Sequence, residues 1–233
     1  MKIEEKLTFE KVKDKIIFRI VGENKLNEYR EKDGGNLLYR LMGHDMYMIY
    51  VIEMEQGFSI VFTDILLNKL GCDEETVIRL AKKNTEIKYP PVLRNVENAI
   101  FETIKKDKLT EDDLTDDSLL NSQYSSNLLE TEHMTLSPAE GDQMHVLTNT
   151  STRYGAGVIF YEGLLKKISK IFGDDLFLIP SSVHEFILLP RYANISEDDL
   201  NFILNDVNAA FVSNEEILGE NVMIYDAKRG KIL

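Results

Sequence analysis

The sequence predicts an α+β fold built from two strand-and-helix halves. Three observations carry that expectation: β-branched and aromatic runs bounded by turn residues, apolar stripes at helical spacing between them, and an acidic polar stretch dividing the chain. The halves fall at residues 1–106 and 143–233, with 107–142 as the linker, and are expected to pack as mixed sheets with helices.

Lys15-Ile-Ile-Phe-Arg-Ile-Val21, ending at Gly22, suits a strand. Residues 24–42 are polar with late leucines and predict a short helix or two. Met46 to Met54 is a second strand, and Gln56-Gly57 turns it into Phe58–Phe62 as a hairpin. Asp73 precedes Glu74 and Glu75, with Val77, Leu80 and Ala81 on one face and Lys82-Lys83 beyond; charges of both signs complement the dipole of a helix over about 74–84. Tyr89-Pro90-Pro91 breaks it, and Val96, Ala99, Ile100 and Ile104 predict a further helix near 94–105.

Residues 107–142 hold ten Asp/Glu and one Lys, so −9 of the chain's net −13 lies there. Their few apolar residues bury too little to offset ordering entropy, which predicts a solvated connector with one short helix near 117–130.

Beyond the linker, Met144–Thr148 reads as a strand and Leu164, Leu165, Ile168, Ile171 and Phe172 as a helix stripe closed by Gly173. Leu176–Ile179 and Val183–Leu189 flank Pro180-Ser181-Ser182 as a hairpin buried on both faces. Ser196 caps a helix over 197–211, with Asp199 at the capping-box position and Ile195 placed to staple onto Leu200. Val222–Tyr225 is a last strand. At an offset of 98, Gly57–Leu67 aligns with Gly155–Leu165 with four identities and three conservative pairs in eleven positions, which raises an internal duplication.

Composition bounds function. With 43% apolar and 29% charged residues the chain is ordinarily globular, and at this length folding buries roughly 70% of the unfolded surface. The lone Cys72 excludes an intramolecular disulfide and a cysteine-based zinc site, pointing to a reducing compartment, with the cytoplasm expected. The charged N-terminus has no apolar leader core, and no apolar run reaches membrane-spanning length, so neither export nor membrane insertion is expected. A net charge of −13 repels phosphate backbones and argues against nucleic-acid binding.

His44, His133, His145 and His184 stand at no zinc-ligand spacing, so no metal is expected. No cofactor fingerprint occurs either. Ser181-Ser182-Val183-His184-Glu185 gathers nucleophile, base and orienter types. On a strand, however, His184 and Glu185 would face opposite ways, and a turn with serines bonding the backbone is the simpler reading. The loop Thr148–Gly157 could hold an anion on exposed N–H groups, but it matches neither a P-loop nor a dinucleotide fingerprint, so a plain strand-to-helix connection accounts for it. Arg94 and Arg153 are cations in low-charge neighbourhoods, able to bind a ligand anion or to pair with a carboxylate.

Val12–Val21, Tyr89-Pro-Pro-Val-Leu-Arg94, Val146-Leu-Thr-Asn149, Tyr225-Asp226 and above all Leu176-Phe-Leu-Ile-Pro-Ser-Ser-Val-His-Glu185 give a resemblance. Through them the chain resembles the bacterial domain-of-unknown-function family 5688 over nearly its whole length, departing at the N-terminal part and the linker. The resemblance supports the fold reading and implies no activity.

With no catalytic constellation evident, a cytoplasmic binding or regulatory module is expected, acting through an unidentified protein or small-molecule partner. One alternative is a hydrolase using His184 with Ser181 or Ser182 and a polar partner such as Asn149 or Glu162. Another is an inhibitor whose acidic 107–142 segment mimics nucleic acid.

Overall fold

In the computed structural model, residues 7–32, 36–54, 57–95, 144–191 and 195–233 are described. The linker 107–142 with its expected helix, the Gln56 turn and most of the helix expected at 94–105 lie outside these residues.

The first sheet is antiparallel and centred on β3 (Met46–Glu53), with β1 (Ile16–Val21) on one side and both β2 (Tyr39–Gly43) and β4 (Ser59–Val61) on the other. Every residue of β1 is buried. Ile16, Phe18 and Ile20 enter the main core, while Ile17 and Val21 pack under Leu26 of helix α2 (Glu23–Lys32). A short helix α1 (Phe9–Val12) precedes β1.

The strand β2 replaces part of the helical structure expected over 24–42. Its two-residue link to β3 is His44-Asp45, with φ of 52° and 59°. This is a hairpin turn with both central residues left-handed, formed without the usual Asn-Gly pair, so its sequence signature is weak. Helix α3 (Asp64–Leu70) has clear signals that the sequence reading passed over. Thr63 accepts from the Leu66 N–H, and Gly71 closes the helix at φ 67°.

Helix α4 (Glu74–Lys88) runs four residues past its expected end, capped by Asp73, which accepts from Thr76 N at 2.7 Å. Its C-terminal half covers the free edge of β1. The Phe18 N–H donates to Thr85 Oγ1 at 3.0 Å, and Asn84 Nδ2 donates to the carbonyls of Lys13 and Ile16. An exposed strand edge is thereby satisfied by side chains.

After Tyr89 the chain crosses to the second sheet as β5 (Pro91–Asn95). Arg94 and Asn95 are therefore extended rather than helical, which corrects the start of the helix expected there. Consecutive prolines hold the preceding residues extended, and Pro91 stands first in an edge strand, where a missing N–H costs no ladder bond.

The second sheet is antiparallel with order β10-β9-β7-β8-β6-β5, using β6 (His145–Asn149), β7 (Leu176–Ser182), β8 (Glu185–Pro190), β9 (Met223–Asp226) and β10 (Lys231–Ile232). Both sheets are thus purely antiparallel among the described strands, not mixed. Their helices complete an α+β architecture.

The β7–β8 hairpin is buried on both faces, as expected. Leu176, Leu178, Phe186 and Leu188 face the main core with helix α5 (Leu164–Phe172), while Phe177, Ile179 and Leu189 face Leu200 and Leu204 of helix α6 (Glu197–Phe211). The turn itself is Val183-His184. Pro180-Ser181-Ser182 belongs to β7, where the register slips between Ile179 and Ser182. A bulge accommodates a proline that cannot donate to the ladder. In α6, Ser196 accepts from Asp199 N, and Ile195 packs against the Leu200 cluster.

One core crosses between the halves: Phe18 and Tyr50 belong to the same cluster as Leu147 and Phe186, and Phe18 meets Tyr161 edge-on at 6.2 Å. The two segments aligned at offset 98 begin differently. Ser59–Val61 is a strand, whereas Gly155–Phe160 is a 3-10 turn wedged between β1 and β6.

Candidate functional site

Where β1, the end of β3, the end of α4 and the loop after β6 converge, a cleft of about 220 Å³ opens, lined by Arg19, Glu53, Tyr89, Asn149, Ser151, Arg153 and Tyr154 among others. Its floor is set by Arg19, the one charge in a strand otherwise wholly apolar. Arg19 is 7% exposed. Its Nη1 donates to Ser59 Oγ at 2.9 Å and its guanidinium lies 4.1 Å from the centroid of the Tyr154 ring.

Glu53 stands 3.8 Å from Arg19 Nη2, beyond hydrogen-bond reach. Its oxygens are taken by the Tyr89 hydroxyl, at 2.6 and 2.7 Å, and by the Lys88 ammonium. Burial works to raise the Glu53 carboxyl, but the bonds from Lys88 and Tyr89, with the Lys88 and Arg19 charges, outweigh it and hold the group below the ordinary range. Burial and the Glu53 carboxylate together push the Tyr89 hydroxyl well above its ordinary value, so it remains a donor.

The opposite wall is the loop 150–154, templated by Asn149. Asn149 Oδ1 accepts from Ser151 N at 2.9 Å and Ser151 Oγ at 3.0 Å, and Nδ2 donates to the Arg153 carbonyl at 3.1 Å. These local bonds hold Thr152 at φ 56° and Tyr154 at φ 51°, left-handed conformations that are costly for a β-branched and an aromatic residue. Gly155 follows because nothing larger fits: a Cβ there would stand 2.1 Å from Thr148 Oγ1 and 2.5 Å from the His184 carbonyl oxygen. Gly157 is likewise needed for close approach of Phe18. Both glycines are buried, so they serve packing rather than presenting exposed N–H groups to an anion.

His184 anchors the loop from the far side. Its Nδ1 accepts from Tyr154 N at 3.1 Å, its Nε2 faces Glu216 Oε1 at 3.3 Å, and its carbonyl accepts from Thr148 Oγ1. The Tyr154 and His184 rings lie 5.7 Å apart, so Tyr154 sits between an arginine and a histidine. A second cleft of about 400 Å³ lies on the His184 side, lined by Lys25, Thr152, Arg153, Tyr154, Glu215 and Glu216 among others.

Of the residues singled out from sequence, Asn149 and His184 thus grip the same loop, Asn149 bordering one cleft and His184 the other. The serines do not join them as a catalytic set. Ser182 Oγ accepts from the backbone N–H of His184, and Ser181 bonds the Glu185 carboxylate. Both imidazole nitrogens are directed elsewhere, and Glu162 is exposed in the turn before α5. Arg153 does reach a cleft wall. Arg19, Glu53, Tyr89 and Tyr154 were not singled out as site residues; the available signal was a lone arginine inside an apolar strand. Among the described residues no group of three His, Cys, Asp or Glu could hold a metal ion, and no helix is long and apolar enough to cross a membrane.

Comparison with known proteins matches residues 1–227 to the model of a family of unknown function, DUF5688. No curated protein and no solved structure matches the chain.

Proposed function

The chain belongs to DUF5688, a family of unknown function, and from its geometry we propose that it is a cytoplasmic binding or regulatory module whose small-molecule ligand occupies the Arg19 cleft. The observation that carries this reading is the loop 150–154. Two of its non-glycine residues are held left-handed, Tyr154 lining the Arg19 cleft and Thr152 the second cleft behind it, and strain of that kind concentrates where a loop has a task beyond connection. A volume of about 220 Å³ corresponds to roughly seven waters, hence a ligand of similar heavy-atom count.

The hydrolase alternative has less support, because a serine must present its hydroxyl to an imidazole nitrogen and Ser182 instead accepts from the His184 backbone. The nucleic-acid mimic rests on 107–142, outside the described residues. The cytoplasmic assignment rests on the single, free Cys72.

The test is native mass spectrometry of the chain as purified, followed by a thermal-shift screen of small metabolites against wild type and Asn149→Ala. A retained or stabilising compound whose effect is lost in the variant supports the reading. Stabilisation that the variant leaves intact places the ligand elsewhere and defeats it.

A further inference from the structure

Resting on that reading of the cleft, we infer that its ligand is a small oxyanion, a carboxylate or phosphate group held between Arg19 and Arg153. Among the described residues the lining carries two guanidinium groups and one carboxylate, a local excess of positive charge in a chain of net charge −13. The one carboxylate is already committed. Glu53 shares the one Tyr89 hydroxyl proton between its two oxygens and accepts from Lys88, and it stands 3.8 Å from Arg19 without hydrogen-bonding it.

Arg19 is therefore a desolvated cation under-supplied with acceptors. A guanidinium has five N–H donors, and among the described residues the one side-chain hydrogen bond of Arg19 goes to the neutral Ser59 hydroxyl. Removing a charge from water is costly unless charged partners and hydrogen bonds compensate. The Tyr154 ring offers its face but no acceptor lone pair in that direction. An oxyanion entering the cleft supplies what is missing, since a planar guanidinium fork matches carboxylate and phosphate oxygens. Arg153 stands on the opposite wall, exposed, with its backbone fixed by Asn149 and Ser151, so its side chain is carried on a rigid mount.

The second cleft carries no comparable excess: Arg153 borders it as well, but with Lys25 it is balanced by Glu215 and Glu216, Lys25 being bonded to Glu28 and Glu215 and His184 facing Glu216. The two linings thus differ in net charge.

The experiment is isothermal titration calorimetry of the full chain with four probes: succinate, inorganic phosphate, succinamide and 1,4-diaminobutane. Saturable binding of succinate or phosphate is expected, and which of the two binds decides between the carboxylate and the phosphate. Affinity should fall at least about tenfold in Arg19→Met and in Arg153→Met, the scale of one lost charge-assisted hydrogen bond. It should be unchanged in Arg229→Met, beside β9 near the sheet edge opposite β5. Because Arg19 is buried, the exposed Arg153→Met carries the test if the first variant does not fold. Anion binding equal in wild type and Arg153→Met overturns the inference. Binding of succinamide or the diamine, lost in Asn149→Ala, overturns it while leaving the cleft a ligand site. No binding of any probe defeats both.

Discussion

The backbone N–H of Tyr154 donates to His184 Nδ1 at 3.1 Å, which fixes that nitrogen as an acceptor and puts the proton of the neutral imidazole on Nε2, facing Glu216. The tautomer follows from a backbone contact rather than from any charge. It also ties the cleft loop to the β7–β8 turn.

The first expectation is therefore spectroscopic. Nitrogen-15 shifts of neutral His184 should report Nε2–H, and an Nδ1–H signature would contradict the Tyr154 contact. Substituting His184→Phe, which keeps a ring but removes the acceptor, should destabilise the chain by about 1–2 kcal/mol in urea unfolding, the cost of leaving a partly buried N–H unpaired.

Gly155→Ala should cost more. Its Cβ would meet the Asn149 backbone nitrogen at 2.8 Å besides the closer Thr148 and His184 atoms, and two of those three are backbone. Overpacking against atoms that cannot rotate away costs about 1–3 kcal/mol or more. Thermal unfolding of Gly155→Ala beside Gly163→Ala compares two different costs, because Gly163 is left-handed (φ 71°) with open space at its Cβ, whereas Gly155 has no positive φ and is hemmed in by its neighbours. A loss at 155 no larger than at 163 would remove the steric account.

What the sequence made legible follows from how locally each feature is determined. The 197–211 helix matched end to end because Ser196 and the residue after Phe211 are read from neighbouring atoms. The strand β5 was misread where Arg94 and Asn95 pair with Val146 and His145, partners some fifty residues away that no local period encodes. The cleft was half legible. Asn149, Arg153 and His184 stood out as polar residues in or beside loops, but Arg19 and Glu53 meet Tyr154 and Tyr89 only when two sheets close on one core.

Thr152 offers a test of the strain. At φ 56° its branched Cβ opposes the backbone, whereas Asn tolerates the left-handed region. Thr152→Asn should stabilise by about 1 kcal/mol in urea unfolding, since a single strained residue costs roughly 1–3 kcal/mol. A neutral or destabilising result would mean that the Thr152 hydroxyl or methyl has contacts worth as much as the strain.

Glu53 predicts acid sensitivity. Its carboxyl is held below the ordinary 4.5 in the folded chain, so its contribution is complete above the unfolded value and is lost as pH falls through the lower folded one. Glu53→Gln should thus be less stable than wild type at neutral pH, with the gap closing below about pH 4.5 as wild type protonates. Denaturant melts at a series of pH values measure the gap. A constant difference would show that Lys88 and Tyr89 do not depend on the charge.

Glu185, the same residue type but in the second sheet, should behave in the opposite sense. Burial raises its carboxyl, only partly countered by neighbouring His184 and the Ser181 hydrogen bond. With the folded value above the unfolded 4.5, its favourable contribution is complete below the unfolded value and is lost as pH rises through the folded one. At neutral pH the ionised group is then a burden carried by the β7–β8 hairpin. Glu185→Gln keeps an acceptor for Ser181 and removes the charge, so the variant should melt higher than wild type at neutral pH and converge with it in acid. Paired with Glu53→Gln, it gives two pH profiles of opposite slope from one fold. Equal slopes would show that the hairpin turn and the cleft do not differ electrostatically as their hydrogen bonds require.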